Sequence, residues 1–152
     1  MKDIRPALRT FLLDDAAVSA LVGGERIYVV RLPQNKVEPS LVFFMVTEFA
    51  DYRMNGDSGL IHARMQFDAW AQNADASSEL ARAVYDRLSG AVDLMSGIDV
   101  CGIFAQTGRE DYDNEAKMFR TSRDFMVWYR LYDDGGDTFF TTEDGNVFYV
   151  AS

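Results

Sequence analysis

Between Leu60 and Trp70 the chain alternates strictly enough to leave little choice of local structure. Ile61, Ala63, Met65, Phe67 and Ala69 fall on one parity, and His62, Arg64, Gln66 and Asp68 on the other. Successive side chains of a strand point to opposite faces, so this is a strand with one face on a core. The segment behind it changes period. From about Asp75 to Leu88, the residues Ala76, Leu80, Ala81, Val84 and Leu88, continued by Ala91, recur at the spacing of one helical stripe. A polar turn, Arg53-Met54-Asn55-Gly56-Asp57-Ser58-Gly59, precedes the strand. Asn55-Gly56 is its strongest turn signal, in a loop that reads as longer than a two-residue hairpin. Strand and helix pack on each other. The polar strand face and the turn still need a purpose.

Residues 4–22 read as a helix with Asp3 as N-cap and Pro6 in the first turn, where a missing N–H costs little. Ile4, Leu8, Phe11, Leu12, Val18, Leu21 and Val22 form its buried face, and Gly23-Gly24 its stop. A short strand spans 26–30, and Pro33 and Pro39 mark the loop after it. Leu41 to Phe49 is apolar on both faces at its start and belongs inside a sheet. Beyond the second helix, 90–97 reads as a connection and 98–106 as a fourth strand, with Cys101 as a small core residue. The acidic run Arg109 to Glu115 reads as a solvated loop, and 119–131 as a long fifth strand. The order predicts an α+β fold: an antiparallel-dominated sheet of about five strands, with two helices packed on one face. Phe44, Val46, Met126 and Trp128 make part of the second face apolar as well.

The end of the chain offers something to cover it. Phe139 to Thr142 and Val147 to Val150 flank Glu143-Asp144-Gly145-Asn146, a β-hairpin signature with Asp-Gly at the tip. Both faces of that hairpin are apolar, with Phe140, Val147 and Tyr149 on one and Phe139, Phe148 and Val150 on the other. A lone hairpin is marginal in water, so it packs on its own sheet or on a neighbouring subunit. The chain divides into a domain at 1–130 and an extension at 131–152, made of an acidic linker and this hairpin. Five of the 24 acidic residues follow Arg130 and no Lys or Arg does, so residues 1–130 carry −4 of the net −9. That balance argues against gripping nucleic acid through counterion release.

A length of 152 residues fits one domain, which at this size buries roughly 70% of its unfolded surface. One cysteine excludes an internal disulfide and suits a reducing cytoplasm. Arg5, Arg9, Asp14 and Asp15 interrupt the first apolar segment, which therefore reads neither as a signal peptide nor as a membrane span. The search for chemistry returns nothing. His62 is the only histidine and has no nucleophile in local register. No second His or Cys completes a transition-metal set. Asp133-Asp134-Gly135-Gly136-Asp137 lacks the oxygen spacing of a calcium loop. Gly23-Gly24 ends a helix and so cannot cradle a phosphate. No catalytic residue, cofactor or metal is expected, which favours a binding or structural role.

Several segments carry a resemblance. Arg26-Ile27-Tyr28 with Arg31-Leu32-Pro33-Gln34 is one, and Ser58-Gly59-Leu60 leading into Ala63-Arg64-Met65-Gln66-Phe67-Asp68-Ala69-Trp70 another. The opening helix, with Asp14, Ala16, Val18 and Leu21-Val22-Gly23, and the late strand from Phe119 to Phe125 with Val127-Trp128-Tyr129, complete the set. In this order, from about Ile4 to Arg130, the chain resembles the tail completion (tail terminator) proteins of long-tailed bacteriophages and prophage-like particles. The resemblance implies a structural, non-enzymatic protein that assembles into a ring, usually hexameric. That ring would cap the tail tube, stop its polymerisation and join it to the head–tail connector, with DNA passing through its centre without sequence-specific binding and no membrane involved. It further implies assembly in the host cytoplasm and final residence in the virion, at the head-proximal end of the tail. The residues expected to meet neighbours are Arg53, Asn55, Asp57, His62, Arg64, Gln66 and Asp68, with Phe139, Phe148 and Tyr149 from the extension. Another neck component of the same particle, or a small ligand-binding α+β domain, is the alternative.

Overall fold

Two long antiparallel hairpins, side by side, make most of the molecule. In chain order the elements are α1 (Ile4–Leu13), α2 (Ala16–Leu21), β1 (Ile27–Val29), β2 (Ser40–Arg53), β3 (Gly56–Ala71), α3 (Ala74–Leu88), β4 (Asp93–Met95), β5 (Ile98–Asp113) and β6 (Met118–Arg130). The computed structural model describes residues 3–31, 39–54 and 56–130, and the backbone alone for 53 and 56–58. The strands form one sheet in the order β1-β2-β3-β6-β5-β4. Only the β1–β2 pair is parallel, so the antiparallel-dominated α+β expectation holds. Two of its numbers change: among the described residues there are six strands and three helices.

The extra helix comes from a break in the first one. Asp15 leaves the helical conformation, and its carboxylate accepts the Val18 N–H at 3.1 Å, so a new helix starts there. Asp caps more readily than it continues a helix, because its side chain competes for backbone donors. Asp3 caps α1 as expected, accepting from the Arg5 N–H at 3.0 Å. Asn73 does the same for α3 through the Ala76 N–H at 2.8 Å.

Ile61, Ala63, Met65, Phe67 and Ala69 of β3 join Phe125, Val127 and Tyr129 of β6 in one core against Leu8 and Leu12 of α1, Val18 of α2, and Leu80, Val84 and Leu88 of α3. Phe67 stacks on Phe43 at 5.0 Å and meets the Phe125 ring edge-on at 5.6 Å. Arg87 ties the helices together, lying 3.7 Å over the Phe11 ring and donating to the Phe11 carbonyl at 2.9 Å.

Four other expectations are corrected. The 90–97 connection contains β4, which extends the sheet by one short edge strand. The acidic run at 109–113 is the second half of β5, held by pairing with Met118 to Ser122 of β6. Cys101 is exposed, because the β5 ladder steps from Val100 to Gly102 opposite Tyr129 and Trp128, and the extra residue turns outward. Arg53 pairs with Gly56, so the β2–β3 connection has two residues, fewer than the turn composition suggested. The predicted hairpin at 139–150 and the 131–152 extension as a whole lie outside the described residues.

Candidate functional site

The face of the sheet turned away from the helices carries the polar parity of β3 and its cross-strand neighbours. Register decides who meets whom: His62 opposes Trp128, Arg64 opposes Met126, Gln66 opposes Asp124, and Asp68 opposes Ser122. On the far side β2 supplies Phe49 beside His62 and Phe44 beside Gln66. β5 supplies Phe104 beside Met126 and Arg109 beside Ser122. Four of the predicted site residues, His62, Arg64, Gln66 and Asp68, are thus brought into one row.

They are not equivalent. Asp68 is only 5% exposed, and Asp124 across the seam only 3%. Asp68 Oδ1 accepts from Ser122 Oγ at 2.6 Å and from Gln66 Nε2 at 2.9 Å. Asp124 Oδ2 accepts from Arg64 Nη2 at 2.7 Å and from Thr107 Oγ1 at 3.2 Å, with Arg109 Nη1 at 3.9 Å from Oδ1. Buried carboxylates are tolerated when hydrogen bonds or an ion pair take up their charge: Asp68 is held by two hydrogen bonds, and Asp124 by its pair with Arg64, with its Oδ1 left without a hydrogen bond among the described residues. Asp68, expected to meet a neighbour, uses its Oδ1 within the sheet. The arginines form the accessible layer, with about half of the Arg109 side chain and two fifths of Arg64 exposed.

Above this network the face turns aromatic. His62 stacks on Trp128 at 4.3 Å and lies 5.1 Å from Phe49. Its ring is part of an aromatic row, with no serine or cysteine among its ring or hydrogen-bond partners in the described residues. Below the network, Arg120 donates twice to Asp111 and lies 5.2 Å over the Trp70 ring. That hydrogen-bonded guanidinium holds the Asp111 carboxyl below its ordinary range. Sequence reasoning missed Asp124, Ser122, Arg109, Thr107 and Arg120. The alternation of Arg120, Ser122 and Asp124 was readable, but not the register that sets them beside β3.

Beyond Leu60, which opposes Arg130, β2 and β3 continue as a two-stranded arm with Tyr52 paired to Asp57 and Arg53 to Gly56. Tyr52 is 70% exposed and Met54 fully so. Arg53 and Asp57 lie on this arm with their side chains outside the described set; the predicted site residues Asn55, Phe139, Phe148 and Tyr149 fall outside the described residues altogether. No group of three His, Cys, Asp or Glu among the described residues could hold a metal ion. No helix among them is long and apolar enough to cross a membrane.

A family model described as Tail completion protein gp17 matches residues 6–130. Among solved structures, a chain of "Virion of native gene transfer agent (GTA) particle" superposes with a TM-score of 0.65 at 20% identity, covering 84% of this chain and 94% of that one. At that identity the likeness shows the fold. No curated protein matches the chain.

Proposed function

Because the chain belongs to the tail completion protein gp17 family, a family of structural virion proteins, we propose that its copies close into a ring, hexameric as the sequence resemblance implies. The ring caps the tail tube of a phage-like particle, stops its growth and meets the head–tail connector. DNA passes through it without sequence-specific contacts.

The observation that carries this reading is a pair of sheet edges on opposite sides of the sheet that no other described strand covers along most of their length. β1 pairs only with residues 41–43 of β2, and β4 only with residues 98–100 of β5. Among the described residues no further strand meets the outer edge of β2 from Phe44 to Ala50, or that of β5 from Phe104 to Tyr112. Long bare edges invite pairing and are blunted in monomers that stay monomeric. Edges on opposite sides make a head-to-tail contact, which closes into a ring when the rotation permits. β2 and β5 run in opposite directions within the sheet, so β2 of one copy beside β5 of the next continues an antiparallel ladder.

The open face would then lie toward the lumen or a neighbour, with His62, Arg64 and Gln66 offering contacts and Asp68 holding the row in place. Its arginines sit on paired aspartates, which leaves little net charge to retain a passing phosphate backbone. Residues 131–152 serve as an extension that strengthens assembly. The family match ends at 130, which leaves them outside it. Deleting 133–152 is expected to leave a folded domain that associates more weakly.

Native mass spectrometry of the full chain, with and without the tail tube protein, tests the ring. A monomer at every concentration in both conditions would sink it. Particles lacking the chain separate capping from joining in the electron microscope. Overlong tails support the terminator, whereas tails of normal length detached from heads indicate another neck component.

A further inference from the structure

One row of the open face lies bare among the described residues. Phe49, His62 and Trp128 cross β2, β3 and β6 in ring contact, and β5 continues the row. Gly102 is the β5 residue opposite Trp128, and a Cβ there would come within 2.9 Å of the Phe104 ring. That ring therefore lies over Gly102 and takes the place of its side chain. The row spans the four long strands, about 14 Å at the spacing of a sheet. Phe49 is 49% exposed and Phe104 53%. A contiguous exposed apolar patch marks a surface that something covers.

The chain itself supplies the nearest cover. β6 finishes at this end of the face, where Arg130 has the parity of Trp128 and pairs with Asp99 Oδ2 at 3.2 Å. Residues 131–152 start from that point. The eight residues 131–138 can span up to about 26 Å when extended. The way back from Arg130 to the level of Met126 is only about 13 Å. Asp133, Asp134 and Asp137 fall in that linker, and Glu143 and Asp144 at the hairpin tip. Phe139 to Thr142 and Val147 to Val150 carry no charge, so they can lie on aromatic rings without burying one. A segment tethered at the rim of its site acts at an effective concentration on the order of millimolar, which a free partner would have to match.

We infer that the 139–150 hairpin folds back and seats one of its apolar faces on the Phe49, His62, Trp128 and Phe104 row of its own chain. His62 then meets the chain's own extension, and Arg64 and Gln66 are left for other copies. The second apolar face of the hairpin stays outward, between Phe49 and Phe104 on the two edges where the next copy arrives in the ring reading. Docking within the chain does not depend on that reading, whereas its effect on assembly does.

Photo-cross-linking of the full chain tests it. p-Benzoylphenylalanine replaces Phe140 in one preparation and Phe148 in another, one probe for each hairpin face. Denaturing gels separate products within one chain from products between chains, and peptide mass spectrometry locates the bond. At least one probe is expected to label the row within its own chain. Adding Phe49→Asp with Phe104→Asp, both at half-exposed positions and checked for folding by far-UV circular dichroism, is expected to lower that yield about tenfold or more. An unchanged yield overturns the inference. So does labelling within the chain that misses the row with both probes, or no labelling at all. Labelling of the row only between chains also overturns it, and gives the row to the extension of a neighbouring copy. Should the double variant not fold, the position of the label in the otherwise unaltered chain decides alone. Native mass spectrometry of the same samples reads the ring separately, so a monomer that labels its own row keeps this inference and sinks the ring.

Discussion

β3 presents two faces that are buried by different means. Toward the helices, Ile61, Ala63, Met65, Phe67 and Ala69 are enclosed by side chains from all three helices and pack as a dry core. Away from them, Asp68 is nearly as inaccessible as Ile61, yet its Oδ1 is taken up by both Ser122 and Gln66. The first face is held by apolar area and shape. The second is held by hydrogen bonds among groups that would rather meet water, and its value depends on every bond being made. A face of that kind contributes little stability on its own. It holds arginines and aromatic rings at fixed places.

Substitutions can break or sharpen this contrast. The largest effect belongs to Phe67→Ala, which empties a site between Phe43 and Phe125 and is expected to cost about 3–5 kcal/mol in urea unfolding. If it costs no more than His62→Ala on the other face, the two faces are not different in kind. Asp124→Ala is next, at about 2 kcal/mol, since it removes a charge-assisted bond but leaves Arg64 able to reach solvent. A change within about 0.5 kcal/mol, as for an ordinary surface site, would mean that the buried carboxylates are not structural.

Tyr129 adds a polar contact on the core face. Burial, and then its hydrogen bond to Glu48 Oε2 at 2.8 Å, push its hydroxyl above the ordinary tyrosine value. A raised folded-state pKa favours the fold fully below the unfolded value and loses that contribution as pH rises past it. Unfolding midpoints of wild type should therefore decline above about pH 10. Tyr129→Phe should flatten that decline and cost about 1 kcal/mol at neutral pH. The smallest effect is at Asp111, held low by Arg120 at an exposed site. Its contribution is present above about pH 4 and is lost as pH falls through its depressed value. Asp111→Asn should abolish that acid limb while changing neutral-pH stability by under about 1 kcal/mol. A larger loss would make the exposed end of the face as structural as its middle.

What could be read from the chain beforehand follows the same division. The core parity of β3, the α3 stripe and the Asp3 cap were legible, because each is set by spacing or by one local bond. The second half of β5 was not. Arg109, Glu110, Asp111 and Asp113 look like a loop, and only the ladder to β6 holds them extended. Strand propensity is weak beside pairing. Nor did composition reveal that Asp15 would restart a helix, or that one inserted residue would turn Cys101 outward. The open-face network was half visible: the β3 row could be named, but its partners needed the register of a strand far along the chain.

That distance has a consequence for how the molecule forms. The β2–β3 and β5–β6 ladders join neighbouring stretches of chain, whereas the seam between them pairs residues such as Arg64 and Asp124, separated by 60 positions. Loop closure makes such remote contacts slow relative to hairpins. The two hairpins are thus expected to form first and to dock late, with substitutions at Asp124 changing the unfolding rate more than the folding rate. If Asp124→Ala instead slows folding in proportion to its loss of stability, docking comes early. A slip of one residue in that docking would drive a carboxylate into the apolar layer. Asp68 and Asp124 therefore act as alignment marks, rejecting every misregistered meeting of the two halves before the helices close over them.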